Sequence, residues 1–170
     1  FAQDIGDIDI VGDRHQAFMV PQRGGDLLRR RADVEHDGAV FRDQRGGEWK
    51  TIEETRDVAG VLFREAVPGS AMLVDCLTLW LSNLMFEEAD IEAETVKLLD
   101  ALRKTSGPVV LVSNEVGAGI VPENALARRF RDAQGRLNRQ IAEVANQVVL
   151  VAAGLPLLLK PNHNQPEIRL

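Results

Sequence analysis

The sequence predicts an α/β domain in which a mainly parallel sheet carries helices on both faces. Short apolar runs of the buried-strand type, at residues 71–75 (AMLVD) and Val109–Ser113 (VVLVS), alternate with segments of helical periodicity. Strands that alternate with helices are typical of a parallel sheet covered on both sides. The length of 170 residues suits one domain with a sizeable core.

Four segments are predicted to be helical. In three of them apolar residues recur at spacings of three and four, which places them on one face of a helix. The other, Leu77–Phe86, is almost wholly apolar and is expected to be covered by protein on several sides. Pro68-Gly69 and Gly107-Pro108 end the first and third segments, because proline and glycine interrupt helices. The predicted helices are residues 55–65, Leu77–Phe86, Ile91–Lys104 and a long helix that begins after Pro122.

The same periodicity predicts which side chains face the core. In the first and third helices the inward-facing residues are Val58, Val61 and Leu62, and Val96, Leu99 and Leu102. The long helix carries an apolar stripe of Leu126, Phe130, Ala133, Leu137, Ile141 and Val144. Its arginines, which lie off that stripe, are Arg128, Arg129, Arg131, Arg136 and Arg139. Such arginines can pair with phosphates, but here they are expected to form a solvated helix face.

The two ends of the chain differ in pattern. A strand is predicted at residues 148–152. Gly154-Leu155-Pro156 then leads into residues 157–159, which are predicted to form its hairpin partner. Residues 1–41 lack clean periodicity, although residues 8–11 (IDIV) fit a short strand and LLRRRADV fits one or two helical turns. The tail from Pro161 predicts no regular structure.

Composition excludes several classes of function. The net charge of −6 argues against non-specific binding of nucleic acid or anionic membranes. A single cysteine, Cys76, excludes an internal disulfide framework and a multi-cysteine zinc site, and it fits a reducing cytosol. No apolar run approaches the roughly 20 residues of a membrane helix, and no signal peptide is visible. A cytoplasmic protein is therefore expected.

Two carboxylates follow predicted strands directly. Asp75 ends the AMLVD run, and Glu115 follows VVLVS within the segment SNEVGAGIVPEN. Ligands of parallel sheets bind beyond the carboxyl ends of the strands, so both side chains are expected at one crevice. A strand-end aspartate can hold Mg²⁺ in nucleotide-triphosphate enzymes, but spacing alone favours Asp75 as the cap of the helix near Leu77. For Glu115 the plain alternative is a solvated loop carboxylate.

Other chemistry-bearing residue types carry weaker signals. Trp49 and Trp80 are expected to be packing anchors, and Cys76 a buried small hydrophobe. The histidines form no metal-binding spacing and no Ser-His-Asp arrangement; they are His15, His36 and His163.

Long motifs of the chain resemble one enzyme family. The segments are EWKTIEE, LVDCLTLWLSNL and VVLVSNEVGAGIVPENALARRFRDAQGRLNRQIAEVANQVVLVAAGLPLLLK. They resemble the bifunctional adenosylcobinamide kinase and adenosylcobinamide-phosphate guanylyltransferase family of cobalamin biosynthesis, from about Arg42 to Lys160. The resemblance implies a RecA-like P-loop nucleotide fold and a small homo-oligomer, often a trimer. It implies phosphorylation of adenosylcobinamide with ATP or GTP, followed by GMP transfer from GTP through a guanylylated histidine.

Two departures from the family pattern are visible. The family begins with a phosphate loop of the GGxxSGKS type, which cradles phosphates with backbone N–H groups and a lysine. Gly24-Gly25-Asp26 has the glycines without a lysine or hydroxyl, and none of the lysines follows a glycine; these are Lys50, Lys97, Lys104 and Lys160. The family's nucleophilic histidine falls at Phe41, and phenylalanine has no nitrogen that can carry GMP. We interpret residues 1–41 as a replaced or wrongly framed segment.

The resemblance assigns further roles residue by residue. Arg42, Asp43, Gln44 and Arg45 fall where the family contacts GTP, and Glu53 matches an acidic nucleotide-binding residue. Asp75 matches the acidic strand-end residue that contacts nucleotide, and Glu115 lies in the family's NEVG motif with a role toward metal or corrinoid. The expected division is an atypical segment 1–41, a kinase/guanylyltransferase-like domain 42–160 and a tail 161–170.

Two functions from different classes remain open. The first is an enzyme of cobalamin nucleotide-loop assembly that uses GTP, ATP and Mg²⁺ and acts on adenosylcobinamide and adenosylcobinamide phosphate. The second is a catalytically impaired homologue that acts only as a binding or oligomer subunit. A generic P-loop kinase for another substrate is disfavoured by the specificity of NEVGAGIVPEN.

Overall fold

The structure is a computed structural model and describes residues 16–20, 50 and 52–161. These form five strands and four helices. In chain order they are β1 Gln16–Val20, α1 Val58–Glu65, β2 Met72–Asp75, α2 Leu77–Phe86, α3 Ile91–Lys104, β3 Val109–Ser113, α4 Ala125–Val144, β4 Gln147–Ala152 and β5 Leu155–Lys160.

The five strands form one mixed sheet. Their order is β2-β3-β1-β4-β5. β2 and β3 are parallel neighbours, which confirms the expectation for AMLVD and VVLVS. β1 is antiparallel to both β3 and β4, and β5 pairs with β4 as the predicted antiparallel hairpin. β2, β3 and β4 therefore run in one direction, and β1 and β5 run in the other. The prediction of a mainly parallel sheet holds for the direction of three of the five described strands. It does not hold for the pairings, because three of the four described pairs are antiparallel.

β1 is an element that the sequence did not predict. Gln16 lies opposite Ser113 and Val20 opposite Val109, so β1 starts at the carboxyl end of β3 and finishes at its amino end. Its five residues, QAFMV, are followed directly by Pro21, but the run is short and the flanking segments lack clean periodicity, so it was not predicted as a strand. The predicted elements IDIV and LLRRRADV lie outside the described residues.

The described helices pack against one face of the sheet. Every one of them contributes to a single core cluster that also contains Val109 and Leu111 of β3 and Val148 of β4. Val110 of β3 and Leu73 of β2 lie in alternate positions and are outside that cluster, and Leu73 is 44% exposed. Within residues 16–20, 50 and 52–161, helices on both faces are therefore not observed. Connections β2-to-β3 and β3-to-β4 progress in the same direction along the sheet, and right-handed crossovers then place their helices on the same side.

Helix boundaries follow local capping. α2 and α3 have the predicted bounds, whereas α1 begins at Val58 because the Asp57 carboxylate caps it by accepting from Gly60 N–H at 2.9 Å. The preceding turn is held by Glu54, whose Oε1 accepts from the N–H groups of Arg56 and Asp57. Those backbone hydrogen bonds hold the pKa of Glu54 below its usual value, because they stabilise the charged form.

Burial confirms most of the predicted core and corrects two positions, in α3 and α4. It also shows that α2 is not covered on several sides, because Leu79 and Phe86 are exposed. Val58, Val61 and Leu62 are buried, as expected. Val96 is 48% exposed, because the buried stripe of α3 runs through Thr95, Leu98, Leu99, Ala101 and Leu102. Leu126 is 54% exposed in the first turn of α4, where the helix begins outside the core cluster. Arg129, Arg136 and Arg139 are exposed, which confirms a solvated face there.

None of the helices described is both long enough and apolar enough to cross a membrane.

Gly107 occupies a position with no room for a side chain. A Cβ there would lie 2.5 Å from the carbonyl oxygen of Ser70 and 2.8 Å from that of Val67, and both are backbone atoms. We expect Gly107→Ala to destabilise the fold by about 1–3 kcal/mol, the usual cost of overpacking. Gly135 in α4 is the matched control, since a Cβ there has no neighbour within 4 Å. Gly135→Ala should stabilise by about 1 kcal/mol through helix propensity.

Urea denaturation of the two variants checks this pair. Equal changes in the free energy of unfolding at both positions would show that the tight packing at Gly107 is absent.

Candidate functional site

Asp75 and Glu115 lie at the same edge of the sheet. β2 and β3 are parallel, and Asp75, the last residue of β2, is aligned with Val112 near the end of β3. Glu115 follows two residues after β3 ends at Ser113. Both carboxylates are exposed. The predicted shared edge is therefore confirmed, and we call it the carboxyl edge.

Asp75 does not cap α2. The residue at the N-cap position is Cys76, and no side chain makes a capping hydrogen bond there. Met72 and Val74 pack against the helical core, so Leu73 and Asp75 occupy the alternate positions, which face the other way. The helix-cap interpretation was wrong because strand alternation turns Asp75 away from the helical side of the sheet. In the described part of the chain, no hydrogen bond or ion pair engages the Asp75 carboxylate.

Glu115 is held by its own loop. Its Oε1 accepts a hydrogen bond from the backbone N–H of Gly117 at 2.7 Å. A Cβ on Gly117 would lie 2.6 Å from that same oxygen, so a larger residue there would force the Glu115 carboxylate to move. Gly117 thus leaves room for the Glu115 carboxylate in this position, whereas a Cβ on Gly119 would have no neighbour within 4 Å.

The residue before Glu115 is fixed by side chains from two helices. Asn114 N–H donates to Thr78 Oγ1 of α2 at 2.9 Å, and its carbonyl accepts from Asn138 Nδ2 of α4 at 3.2 Å. The strand ladder ends at Ser113, so these side chains bind the backbone where the sheet no longer does. Neither Thr78 nor Asn138 was identified from the sequence.

A buried polar cluster lies behind Asn114. It consists of Ser113, Gln134 and Asn138, whose side chains are mutually hydrogen-bonded at 2.6–2.9 Å. Ser113 and Gln134 are fully buried and Asn138 is 6% exposed. The available sequence signal was the spacing of four between Gln134 and Asn138, beside the buried apolar stripe of α4, since neighbours four apart share a helix face.

The rest of the loop leads into α4 and exposes apolar side chains. Ile120 is 96% exposed and Val121 is 59% exposed. The Asn124 side chain caps α4 by accepting from the N–H groups of Leu126 and Ala127. Arg128 folds back and donates to the carbonyl of Pro122 at 2.9 Å and to that of Glu123. Both ends of the segment between Glu115 and Asn124 are therefore anchored.

Of the other residues predicted to contact nucleotide, Glu53 is the one that lies within the described part of the chain. Glu53 is exposed. The residues that follow it are bound by side chains of α2: Trp80 Nε1 donates to the Arg56 carbonyl at 2.7 Å, and Asn83 Nδ2 donates to the Thr55 carbonyl. Trp80 is 4% exposed, which confirms it as a packing anchor, whereas Cys76 is only half-buried. The predicted residues outside the described part are Phe41, Arg42, Asp43, Gln44, Arg45 and Trp49.

The carboxyl edge has the donor chemistry that suits Mg²⁺ bound together with a nucleotide. Mg²⁺ prefers oxygen ligands and is usually held by one or two carboxylates plus phosphate oxygens and waters. Asp75 supplies a carboxylate that no described residue engages, and Glu115 supplies a second one at the same edge. Among the described residues no group of three or more metal-ligating side chains occurs. Two carboxylates are a donor number that suits Mg²⁺ when phosphate oxygens and waters complete its coordination.

Comparisons with known proteins indicate the same enzyme family across most of the chain. The sequence model of the family described as cobinamide kinase / cobinamide phosphate guanyltransferase matches residues 32–159. The bifunctional adenosylcobalamin biosynthesis protein CobP of Pseudomonas aeruginosa is 39% identical over 146 residues, which are 85% of this chain and 82% of that protein. The CobU proteins of Escherichia coli and Salmonella typhimurium are 36% and 37% identical, over 76% and 70% of this chain and 77% and 74% of their own lengths.

The match extends further towards the N-terminus than the motifs indicated. The family model aligns from residue 32, whereas the resemblance was placed from about Arg42. The alignment thus covers position 41, where this chain has phenylalanine.

Proposed function

The chain belongs to the cobinamide kinase / cobinamide phosphate guanyltransferase family, and we propose that its role is cobalamin nucleotide-loop assembly. The reactions of that role are phosphorylation of adenosylcobinamide and transfer of GMP from GTP to adenosylcobinamide phosphate. The single observation that carries a site for them is the position of Asp75 and Glu115 at the carboxyl ends of two parallel strands.

At this edge, Asp75 is proposed to hold the cation that accompanies the triphosphate of GTP or ATP. A bound Mg²⁺ would neutralise charge on the phosphate oxygens. Asp75 is exposed and faces away from the helical core, and no described residue engages its oxygens. Glu115, whose Oε1 is already fixed by Gly117 N–H, would present its second oxygen from the neighbouring strand end.

The proposal carries further properties that come from the family resemblance. Arg42, Asp43, Gln44, Arg45 and Glu53 are assigned to GTP contacts. The complete fold would be a RecA-like P-loop architecture in a cytoplasmic homo-oligomer, for which the resemblance implies a trimer. The segments 1–41, 42–160 and 161–170 remain the proposed domain division.

A second candidate function is favoured by specific features of this chain. Phe41 stands at the position of the nucleophilic histidine, and no lysine follows a glycine in the 170 residues. In addition, β1 finishes opposite Val109, so the chain leaves β1 at the edge away from Asp75 and Glu115. A phosphate loop comes directly after a strand, so that strand has to end at the carboxyl edge for the loop to lie there. These features favour a homologue that binds nucleotide or assembles with other copies but is impaired in catalysis.

Substitution of Asp75 tests the proposed nucleotide site. Asp75→Asn removes the charge but keeps the shape, so we expect the affinity for Mg²⁺-GTP to fall at least about tenfold, since even indirect partners of metal sites contribute that much. Asp100→Asn is the control, because Asp100 is an exposed carboxylate on α3 that pairs with Arg103. Equilibrium dialysis with labelled GTP measures both. Equal affinities in the two variants would place the nucleotide elsewhere.

A further inference from the structure

We propose that Thr78 and Asn138 are positioning residues, which set the direction in which Glu115 leaves the sheet toward the bound nucleotide. The inference rests on the proposed function, because it assigns these side chains a purpose at the same carboxyl edge. Neither residue contacts the ligand in this proposal; each acts through the backbone of Asn114.

The contact geometry provides the first argument. Asn114 lies between the last ladder residue, Ser113, and Glu115. Its N–H donates to Thr78 Oγ1 at 2.9 Å and its carbonyl accepts from Asn138 Nδ2 at 3.2 Å. Both backbone polar groups of Asn114 are therefore bound by side chains from different helices. This fixes the orientation of the peptide planes on both sides of Asn114 and, with them, the start of Glu115.

Thr78 also connects the two carboxylates. It lies three residues after Asp75, in the first turn of α2, and its hydroxyl binds the residue directly before Glu115. One hydrogen bond thus joins the chain that follows β2 to the chain that follows β3. This bond therefore extends, beyond the last ladder pair, the connection between the segments that carry Asp75 and Glu115.

The buried polar cluster supports the same assignment for Asn138. Asn138 Oδ1 accepts from Ser113 Oγ at 2.6 Å and from Gln134 Nε2 at 2.9 Å. Two donors on the oxygen fix which way the amide lies, so Nδ2 faces the Asn114 carbonyl. The cluster is not an optimal core, because Gln134 Oε1 is buried and has no hydrogen-bond partner in the described part of the chain. Burying an unpaired polar atom costs stability, and apolar side chains would avoid that cost. The polar cluster is explained by its effect on Asn114 rather than by stability.

Matched substitutions at buried threonines test the proposal. Thr78→Val removes the hydroxyl while keeping the side-chain shape, and Thr78→Ser keeps the hydroxyl. Thr95→Val is the control, because Thr95 is 2% exposed in α3 and its hydroxyl donates only within its own helix, to the Ile91 carbonyl at 2.7 Å. The readouts are hydrogen–deuterium exchange of the peptide 114–121 and the affinity for Mg²⁺-GTP.

We expect Thr78→Val to raise exchange in the peptide 114–121 and to weaken GTP binding about three- to tenfold, in line with the loss of one buried hydrogen bond. Thr78→Ser should restore both values, and Thr95→Val should change neither. If Thr78→Val does not fold, Asn138→Ala carries the same expectation. Unchanged exchange in Thr78→Val would overturn the positioning role. Raised exchange with unchanged GTP affinity would overturn its functional part. Failure of the unmodified chain to bind GTP would instead overturn the proposed function itself.

Discussion

When the 170-residue chain is incubated with GTP labelled at the α-phosphate, we expect no label on the denatured protein. The family's GMP transfer proceeds through a guanylylated histidine, and Phe41 at that position offers no nucleophilic nitrogen. Loss of a nucleophile usually costs roughly 10³-fold or more in rate, so the expected GMP transfer falls below detection in a standard assay.

Phosphoryl transfer is expected to be weak for a separate reason. Positioning and electrostatic stabilisation account for most of phosphoryl-transfer catalysis, and a phosphate loop with its lysine supplies much of both. None of the four lysines of this chain follows a glycine. The measurement is transfer of the labelled γ-phosphate to adenosylcobinamide, compared with a family member that has the loop and the histidine.

A stable, acid-labile label on the unmodified chain would contradict the first expectation. It would mean that another residue serves as the nucleophile, and His36 is the nearest histidine in sequence to Phe41. Loss of that label in His36→Ala would then identify His36, whereas its retention would exclude it.

Truncation of Leu81 is expected to be the most destabilising core substitution considered. Leu81 is fully buried in α2 and belongs to the single cluster shared by all four described helices and the sheet. Leu81→Ala removes three buried carbon atoms and leaves a cavity, which costs about 2–5 kcal/mol. Because a typical domain is stable by only about 5–15 kcal/mol, we expect a large fall in the denaturation midpoint.

Leu79→Ala provides the control on the same helix. Leu79 is 65% exposed, so the same substitution there should change the free energy of unfolding by about 0.5 kcal/mol or less. Urea denaturation followed by circular dichroism compares the two variants. Similar losses in both would show that α2 buries a different face from the one described.

The elements with the strongest local signals were predicted well from the sequence. α2 and α3 begin and end where the periodicity and the breakers placed them, and the two strands AMLVD and VVLVS are parallel neighbours. The start of α1 was misplaced because Asp57 supplies the cap, so the helix begins at Val58 and not at residue 55. Helical pattern gives the type of an element more reliably than its first residue, since capping depends on one side chain.

Tertiary contacts explain what the sequence could not provide. Val96 and Val61 have the same residue type, yet Val96 is exposed, because burial depends on which stripe of a helix meets the neighbouring helix. The direction of β1 depends on pairing with two distant strands, which local pattern does not encode.

The candidate site was predicted in part. Asp75 and Glu115 were placed at one edge from strand order alone, since parallel strands end together. Thr78, Gln134 and Asn138 were missed because polar residues in a helix are ordinarily read as solvent-facing. Only the folded chain shows that they are buried and bonded to the end of β3.

The position of the bound triphosphate tests the central claim most directly. A crystal structure of the chain with a non-hydrolysable GTP analogue and Mn²⁺ in place of Mg²⁺ would locate the cation by its anomalous signal. We expect the cation and the phosphates at the carboxyl edge, with the cation within direct or water-mediated reach of Asp75. Phosphates bound at the opposite edge, beside Met72 and Val109 at the starts of β2 and β3, would contradict the proposed site.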